Sequence, residues 1–407
     1  MTNVILRKGR EDSLLRFHPW VFSGAIARLE GDEPREGDVV AVLSASREVM
    51  GCGHYQIGSS AVRMLCFGES VLPADFWVSR LSAALEMRRA LGLASGSGDT
   101  NCYRLVHGEG DSLPGLIIDC YGDTCVMQAH SAGMFLARQD IASALRKVYC
   151  PQLKAVYDKS SGTAPFKAGL DLCDGYLFGD GSSLAQEAFV LENGHKFHVN
   201  WEEGQKTGFF LDQRENRRLV GLHASGRRVL NLFCYTGGFS IYALAGGALS
   251  VDSVDSSAKA MAMTDRNVVL NGFATAQGGS EPDTIHHSYC CDALDFLHSA
   301  PENHYDLMIV DPPAFAKHRG AIHNALRAYQ RLNADAISKV APGGIVFTFS
   351  CSQAVDRQAF SLAVFSAAAQ TGRNVRILAR LSQPADHPVN IYHPEGEYLK
   401  GLMLYVE

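Results

Sequence analysis

The chain has 407 residues, 46% of them hydrophobic and 20% charged, and a formal net charge of −6. This length predicts two or three domains, and no apolar run approaches the roughly 18 to 20 residues of a membrane span. The N-terminus lacks the apolar core of a signal peptide, so we expect a cytoplasmic protein with no membrane partner. The 11 cysteines include no C-x-x-C pair, and we therefore predict no metal site.

The N-terminal region, up to about residue 70, alternates apolar and polar positions in short runs between glycine-rich turns. This spacing predicts a small β-barrel or sandwich. The negative net charge argues mildly against nucleic acid as a partner, although a binding site needs only a local basic patch. Candidate patches consist of Arg7, Lys8, Arg10 and Arg16 near the start and of Arg214, Arg217 and Arg218 further on. The alternative is that these are ordinary solvated surface residues.

A middle region with mixed patterns extends to about residue 195. Its apolar spacing predicts a helix over residues 76–93, followed by a Gly/Ser loop over 94–99. Residues 116–128 indicate a strand, a tight turn and a second strand, and residues 133–148 indicate a helix. Asn193-Gly194 suits a type I′ turn, so residues 188–199 predict a hairpin.

From about residue 205 the pattern changes to continuous apolar strands that alternate with helices. Strands are predicted at 229–233, 249–255, 305–311 and 344–350, with helices over 238–245 and from after Asp255 to about Leu270. Strands of this kind are buried on both faces, which is typical of a parallel sheet covered by helices. The fold class is therefore α/β for this part of the chain.

A glycine turn follows the first of these strands. Glycines between a strand and a helix let a ligand approach the backbone at the helix N-terminus. A dinucleotide site would need G-x-G-x-x-G to hold a pyrophosphate, whereas S-adenosylmethionine has no phosphate and a shorter turn suffices. We predict cofactor contacts along this segment at Asn231, Phe233, Tyr235, Thr236, Gly237 and Gly238.

Two acidic residues extend the predicted cofactor site. Asp255 ends the second strand, about 20 residues after the glycines, where a carboxylate accepts hydrogen bonds from ribose hydroxyls. Asp292 ends a short predicted strand and suits the adenine amino group. Each could instead be a helix cap or part of an ordinary turn. Their order and spacing, together with the next motif, favour a cofactor site.

The segment 311–315, Asp-Pro-Pro-Ala-Phe, directly follows a strand. Two prolines cannot continue a sheet and hold the backbone extended, in the crevice where ligands bind in such sheets. We interpret the segment as a base-handling site in which Phe315 stacks on a base and Pro312 borders the cofactor. The alternative is a turn that merely ends the strand. Lys317 is a further candidate for RNA contact.

Cys351 follows the next strand and lies at the mouth of the same crevice. Carbon 5 of cytosine becomes nucleophilic enough to take a methyl group only after a thiolate adds to carbon 6. A free thiol is mostly protonated at neutral pH, so such a site must lower its pKa. We predict Cys351 as the nucleophile and Asp311 as the group that hydrogen-bonds protonated ring nitrogen 3. A structural thiol is the alternative.

Seven ordered blocks then carry a resemblance over the whole chain. They are residues 8–24, 103–115, 206–214, 235–239, 311–315, 349–352 and 385–401. In these blocks the sequence resembles the bacterial 23S ribosomal RNA (cytosine-5)-methyltransferases of the large-subunit methyltransferase I type. The resemblance implies a PUA RNA-binding β-barrel over 1–72, an α+β middle domain over 73–195 and a Rossmann-like catalytic domain over 196–407.

The resemblance also implies residue roles. Phe210, Asp212 and Gln213 would border the methionine end of S-adenosylmethionine, and the thiol of Phe-Ser-Cys-Ser, here Cys351, would be the nucleophile. Ribosomal RNA would be the partner, and the candidate contacts taken from the residues themselves are Lys8, Arg10, Arg16, Arg214, Phe315 and Lys317. Another lineage carries a second cysteine, which helps release the product, where this chain has Ala314, so product release is unexplained. Lysine is expected at that position in the family itself, and its absence would affect RNA contact more than chemistry.

Two other functions remain open from the sequence. D-P-P-F motifs also polarise exocyclic amines, so an N-methyltransferase acting on guanine or adenine is one alternative, and Cys351 argues against it. An RNA-binding or ribosome-assembly factor with a vestigial cofactor site is the other, and the intact Gly237-Gly238, Asp255 and Asp311 argue against that. The sequence leaves open the modified nucleotide, naked RNA against a ribosomal particle, and monomer against homodimer.

Overall fold

The computed structural model describes residues 1–94, 98–165, 169–180, 189–278, 284–316 and 318–407. It divides into two compact units. The first unit consists of Met1–Val190, Val199–Leu211 and Ala385–Gly396, and the second of Leu191–His198, Asp212–Pro384 and Glu397–Glu407. The chain therefore returns to the first unit near its C-terminus. The division into three domains expected from the sequence stays a prediction.

The N-terminal part of the first unit is a six-stranded sheet. Its strands are β1 (Asn3–Leu6), β2 (Trp20–Phe22), β3 (Ile26–Glu30), β4 (Val39–Leu43), β5 (Val49–Tyr55) and β6 (Ser60–Phe67). They lie in the order β2-β6-β5-β4-β1-β3, and all pairs are antiparallel except β1 with β4. A four-residue helix, α1 (Asp12–Leu15), precedes β2. The small β domain predicted from alternation is confirmed.

A second sheet in the first unit has five strands. They are β7 (Cys102–His107), β8 (Leu116–Tyr121), β9 (Thr124–Ala129), β10 (Ala155–Asp158) and β11 (Gly175–Phe178), in the order β11-β10-β9-β8-β7. The helix α2 (Phe76–Ala90) packs on this sheet. Residues 95–97 of the predicted Gly/Ser loop lie outside the described residues.

The helix predicted over residues 133–148 is wrong as a single element. The chain forms α3 (Ala132–Leu136) and α4 (Arg138–Tyr149), separated at Ala137. The Arg138 guanidinium donates to the carbonyl of Phe135 at 2.9 Å and lies 4.0 Å from the centre of its ring. This side chain satisfies a carbonyl of the last turn of α3, so the break leaves that group hydrogen-bonded.

The strands β12 (Phe189–Glu192) and β13 (His195–His198) form a two-stranded hairpin. Asn193 and Gly194 have φ angles of 49° and 81°, as a type I′ turn requires. The predicted hairpin is confirmed within the described residues, whereas Ala188, with which the prediction began, lies outside them.

The second unit contains an eight-stranded sheet. Its strands are β14 (Arg228–Leu232), β15 (Ser250–Asp255), β16 (Thr275–Gln277), β17 (His286–Cys290), β18 (Leu307–Val310), β19 (Gly344–Ser350), β20 (Val375–Ser382) and β21 (Lys400–Val406). The order is β16-β17-β15-β14-β18-β19-β21-β20. Only β21 runs against the others, pairing antiparallel with β19 and β20. This is the Rossmann-like α/β sheet that the sequence predicted.

The helices of the second unit connect these strands. They are α5 (Arg214–His223), α6 (Gly238–Ala245), α7 (Ala258–Leu270), α8 (Ala293–Ser299), α9 (Ile322–Lys339) and α10 (Arg357–Thr371). The apolar residues of β14, β18, β19 and β21 form one core with α8, α9 and α10. None of the helices in the described part of the chain combines the length and apolarity needed to cross a membrane.

Candidate active site

The strand order of the second unit reverses at β14. The strands that follow β14 in the chain, β15 to β17, lie on one side of it, and the later strands, beginning with β18, lie on the other. Ligands of open α/β sheets bind at the carboxyl edge near such a reversal. Asp255 ends β15, Asp311 follows β18 and Cys351 follows β19. The parallel pairing of these strands brings the three predicted residues to the same edge of the sheet.

The turn after β14 has an unusual backbone. Phe233, Tyr235 and Gly237 have φ angles of 58°, 50° and 78°, so left-handed conformations recur at alternate residues. For a non-glycine residue this costs on the order of 1–3 kcal/mol, and such strain is concentrated at ligand-binding sites. Asp255 Oδ2 accepts a hydrogen bond from the Tyr235 amide at 3.0 Å, and Thr264 Oγ1 donates to the Tyr235 carbonyl at 2.9 Å. These two bonds hold the strained turn.

Both glycines of the turn are required by packing. A Cβ at Gly237 would lie 2.7 Å from Thr264 Cγ2, in addition to the positive φ. A Cβ at Gly238 would lie 2.9 Å from Cδ of the buried Arg217. The glycines therefore let α6 begin close to its neighbours, at the edge where a ligand would meet the backbone.

Two of the residues predicted to contact the cofactor are buried and stabilise this turn through hydrogen bonds. Asn231 is fully buried and donates from Nδ2 to Ser240 Oγ at 2.8 Å. Thr236 is also buried, and its carbonyl accepts from Asn267 Nδ2 at 3.0 Å. The Asn231 side chain thus supports the turn from beneath, and α7 holds the Thr236 backbone through Asn267.

The two acidic candidates differ in their surroundings. Asp255 is half-buried, and its second oxygen accepts from the Ser257 amide at 2.9 Å. Asp292 is exposed and caps α8, with Oδ1 accepting from the amides of Leu294 and Asp295 at 2.8 and 3.2 Å. The helix-cap alternative considered from the sequence is therefore present at Asp292. A cap through one oxygen is compatible with a ligand contact through the other.

The residues before α5 form a polar cluster with Asp311. Gln213 is buried; its Nε2 donates to Asp311 Oδ2 at 3.0 Å, and its Oε1 accepts from Asn216 at 2.6 Å. Asp212 is buried and accepts from the Tyr398 hydroxyl at 2.6 Å. Phe210 belongs to the first unit, where its half-buried ring lies 4.7 Å from Lys206 Nζ.

Serine hydroxyls fix the two ends of the Cys351 turn. Ser352 Oγ donates to the Ala316 carbonyl at 2.6 Å, which ties this turn to the segment after Asp311-Pro312-Pro313. Ser350 Oγ donates to the hydroxyl of Tyr329, on α9, at 2.9 Å. Both serines are fully buried, whereas Cys351 between them is half-buried. The thiol is therefore the accessible member of a rigid turn.

Tyr329 contacts both segments that carry predicted catalytic residues, through Ser350 and Phe315. Its ring lies 4.7 Å from that of Phe315, which is half-buried and so offers only part of its surface to a base. Burial raises the pKa of Tyr329 to about 12, and the negative charges of Cys351 and Asp311 add to this effect. The thiol and the carboxyl group are thus both close enough to influence the same phenol.

Lys400 is a site residue that the sequence did not single out. It pairs with Ser350 across β19 and β21, and only 4% of its surface is exposed. Its Nζ donates to the carbonyls of Ser352 and Val355 at 2.5 and 2.6 Å. Burial lowers its pKa to about 8, and the negative charge of Cys351 opposes this shift. A buried ammonium group therefore lies at the turn that carries the thiol.

The residues predicted to bind RNA fall into two groups. Lys8, Arg10 and Arg16 are exposed on the first unit, as RNA contact requires. Arg214 is 1% exposed, which leaves its guanidinium no room for a phosphate in this conformation. Arg217 is also buried, in an ion pair with Glu192 at 2.7 Å, so both are corrections to the predicted patch. Lys317 lies outside the described residues.

Within the described ranges, no group of three or more His, Cys, Asp or Glu side chains is arranged to hold a metal ion. Sequence reasoning missed Tyr329, Ser352 and Lys400. Ser352 and Lys400 lie inside blocks that carry the family resemblance, but the resemblance did not indicate a role for either residue. The one sequence feature that could have drawn attention to Lys400 is that it is a lysine in an otherwise apolar strand, β21.

Comparisons with known proteins agree with this geometry. A family model described as an S-adenosylmethionine-dependent methyltransferase matches residues 175–401. A PUA-like domain model matches residues 4–67. The chain is 39% identical to the ribosomal RNA large subunit methyltransferase I of Aeromonas hydrophila, covering 99% of this chain and 98% of the relative. It is 40% identical to the protein of the same name from Pseudoalteromonas atlantica, covering 100% and 99%.

Solved structures share the fold over the full length. A methyltransferase designated SMU.776, crystallised with SAH, superimposes with a TM-score of 0.82 at 24% identity, and each chain is covered completely. A SAM-dependent methyltransferase from Streptococcus mutans gives a TM-score of 0.81 at 24% identity, again with complete coverage of both chains. The order of domains in this chain is therefore a known architecture.

Proposed function

The chain belongs to the ribosomal RNA large subunit methyltransferase I family, and from this premise we propose that it methylates carbon 5 of a cytosine in 23S ribosomal RNA. S-adenosylmethionine-dependent methyl transfer follows from the family. The base, the carbon atom and a covalent intermediate on Cys351 are our proposal. The observation that carries it is the half-buried Cys351, held between two buried serines beside the strand that leads to Asp311.

Carbon 5 of cytosine needs a covalent partner to act as a nucleophile. The Cys351 thiolate forms a bond to carbon 6, and the electron pair of the 5,6 double bond moves towards carbon 5 as ring nitrogen 3 takes a proton. Carbon 5 then forms its bond to the methyl group as the bond between that methyl group and the sulfonium sulfur breaks, which leaves a neutral thioether. Loss of the carbon 5 proton to a base and departure of the thiolate restore the 5,6 double bond, and ring nitrogen 3 gives up the proton that it took.

The residues of the cofactor edge fit S-adenosylmethionine, which supplies an electrophilic methyl group on a sulfonium. Asp255 is half-buried at the end of β15 and holds the strained turn through the Tyr235 amide, a placement suited to ribose hydroxyls. Asp292 is exposed at the same edge and suits the adenine amino group. The turn lacks the glycine pattern of a pyrophosphate site.

Asp311 and Lys400 complete the proposed chemistry. The Asp311 carboxylate, oriented by Gln213 Nε2 at 3.0 Å, accepts a hydrogen bond from the proton on ring nitrogen 3. Lys400 acts through Cys351 as a positioning residue. Its Nζ holds the carbonyls that follow the thiol, and its positive charge favours the thiolate.

Replacement of the thiol tests the proposal. We expect Cys351→Ala to bind S-adenosylmethionine with unchanged affinity by calorimetry and to lose methyl transfer to ribosomal RNA completely. Wild-type protein should also form a covalent complex with RNA that contains 5-fluorocytosine, because fluorine at carbon 5 blocks the release step. The complex is detected as a mass increase on the peptide that contains Cys351.

The matched control is Cys173→Ala, which removes another accessible thiol from the first unit. It should retain both transfer and the covalent complex. Residual methylation by Cys351→Ala would refute the carbon 5 mechanism and favour transfer to nitrogen. Absence of cofactor binding in the wild-type protein would instead favour an assembly factor.

A further inference from the structure

Three half-exposed aromatic side chains lie close together on the first unit. Phe17, Phe22 and Tyr392 are 48%, 47% and 50% exposed. The ring centroids of Phe17 and Tyr392 are 5.4 Å apart, and those of His18 and Phe22 are 5.7 Å apart. We call Phe17, Phe22 and Tyr392 the aromatic surface. Clustered exposed rings of this kind mark interaction sites more often than isolated ones.

The segment Ala385–Gly396, which carries Tyr392, is firmly attached to the first unit. Arg88 Nη2 donates to the Asp386 carbonyl at 2.7 Å, and Asp386 Oδ2 accepts from the Arg104 amide at 3.0 Å. Asn390 Nδ2 donates to the Glu109 carbonyl at 3.0 Å. Tyr392 is therefore presented by an anchored segment, although it lies more than 350 residues from Phe17 in the chain.

An aromatic layer formed by His18, Trp20 and His393 lies against Phe22, whose ring centroid is 6.3 Å from that of Trp20. His393 is 4% exposed, with its centroid 4.5 Å from the Trp20 ring and 5.7 Å from His18. Trp20 is fixed by a hydrogen bond from Nε1 to Glu109 Oε1 at 2.9 Å. Rings backed in this way lose little conformational entropy on binding, which favours their use as contact residues.

Phe17 occupies a strained position. It follows α1 with a φ of 59°, and its amide and that of His18 donate back to the carbonyls of Leu14 and Ser13, both at 2.9 Å. Glycine is the usual residue at such a helix end, and a bulky side chain with positive φ is a genuine outlier. Strain of this kind persists where the side chain has a use. We therefore attribute the presence of phenylalanine at position 17 to the contacts that its ring makes, and not to the conformation of the turn.

We propose that the aromatic surface stacks on unpaired bases of the RNA substrate, with the neighbouring cations holding the phosphates. Residues 1–24 contain four Lys or Arg and two Asp or Glu, an excess of positive charge in a chain whose net charge is −6. Arg16 directly precedes Phe17, and Lys8 and Arg10 are exposed nearby in sequence. Rings combined with cations suit single-stranded RNA, since every base has a face for stacking.

Opposing charge near the surface comes from Glu395, exposed on the same segment as Tyr392, and from Asp12, exposed on α1. Asp386 is fully buried, and its Oδ2 accepts from the Arg104 amide. A purely apolar protein partner would have no use for the three exposed cations. This inference rests on the proposed function for the identity of the RNA, but not on the chemistry at Cys351.

The test is the affinity for a roughly ten-nucleotide single-stranded RNA of mixed sequence, measured by fluorescence anisotropy. We expect Phe17→Ala and Tyr392→Ala each to weaken binding roughly 5- to 150-fold, the equivalent of about 1–3 kcal/mol per stacked base. Tyr392→Phe should bind like wild type because it keeps the ring. A duplex of the same length should bind alike to all of these proteins.

Phe365→Ala is the matched control, because Phe365 is 67% exposed on α10 of the second unit. It should leave RNA affinity unchanged, and thermal unfolding should confirm that each variant is folded. Unchanged RNA affinity in folded Phe17→Ala and Tyr392→Ala would overturn the proposal, as would equal weakening by Phe365→Ala. Binding is measured in the Cys351→Ala background as well, so loss of the covalent mechanism cannot be mistaken for loss of the aromatic surface.

Discussion

Removal of the buried ammonium group beside Cys351 tests how the thiolate is stabilised. Lys400→Met keeps an unbranched side chain of similar length in β21 but removes the positive charge and the donors to Ser352 and Val355. We expect the pKa of Cys351 to rise in this variant. Reactivity of the thiol at neutral pH, and with it methyl transfer, should fall for the same reason.

The magnitude follows from the burial of Lys400. With 4% of its surface exposed, its charge is poorly screened by water. An opposite charge close to a titrating group shifts its pKa by about 1–3 units, and each unit changes the thiolate population about tenfold. Lys400→Met should therefore lower the rate of Cys351 alkylation at neutral pH by about 10-fold to 1,000-fold.

The assay is alkylation by iodoacetamide over a range of pH, followed by mass spectrometry of the peptide that contains Cys351. Peptide resolution is needed because the chain has 11 cysteines. The midpoint of the profile reports the pKa of Cys351 directly and is independent of RNA or cofactor. A role of Lys400 in holding the turn alone would lower stability without moving this midpoint.

A second consequence concerns stability. The pKa of Lys400 falls to about 8 on folding, from an ordinary value of 10.5. Between these two values the unfolded chain binds more protons, so the contribution of Lys400 to stability increases as pH rises. Lys400→Met should remove that slope from the unfolding free energy.

Lys339→Met is the matched control. Lys339 also donates from Nζ to a backbone carbonyl, that of Ala300, at 2.7 Å. We assign it no role in stabilising the Cys351 thiolate. It should leave the alkylation profile of Cys351 unchanged. If Lys400→Met is folded and its alkylation midpoint matches that of wild type, the electrostatic role of Lys400 is refuted.

Two further predictions concern the cofactor edge. Asp255→Asn loses the negative charge and one of the two oxygen acceptors used by the amides of Tyr235 and Ser257. Its affinity for S-adenosylmethionine should therefore fall by about tenfold or more, as measured by calorimetry. An unchanged affinity would contradict the assignment of Asp255 to the cofactor site. Gly237→Ala should lower the unfolding free energy by roughly 1–3 kcal/mol in urea titrations. Adding Thr264→Ser, which removes the methyl group 2.7 Å from the new Cβ, should recover the part due to the clash, and no recovery would show that φ strain alone is responsible.

Local patterns predicted the central strands because strands buried on both faces are continuously apolar. The helix Gly238–Ala245 and the strand Gly344–Ser350 have the bounds that were expected from residue pattern alone. The last two strands were not predicted. β20 is a largely exposed edge strand, and β21 is inserted antiparallel between β19 and β20. Such pairing depends on contacts distant in sequence, which no local period records.

The same limit applies to the charged residues. Arg214 and Arg217 stand in a cluster of basic residues that predicted an exposed patch. The ion-pair partner of Arg217 is Glu192, which lies 25 residues earlier, so a local sequence pattern could not reveal this pair. Asp255 and Asp311 could be predicted, since each stands where an apolar strand stops. Lys400 could not, because a single lysine in a buried strand does not reveal which carbonyls it will meet.

The chemistry of Lys400 bears on carbon against nitrogen methylation. The carbonyls of Ser352 and Val355 need only hydrogen-bond donors, and a neutral amide could supply them without the cost of desolvating an ammonium group. Burial lowers the pKa of Lys400 to about 8, in keeping with that cost. A charge kept in place despite this cost suggests a use beyond holding a turn, and among the negative charges that oppose the shift, those of Cys351, Glu397 and Asp356, that of Cys351 has the largest effect. An enzyme that only polarises an exocyclic amine has no need of a stabilised thiolate. The charge on Lys400 therefore supports the covalent intermediate that we propose for the half-buried Cys351.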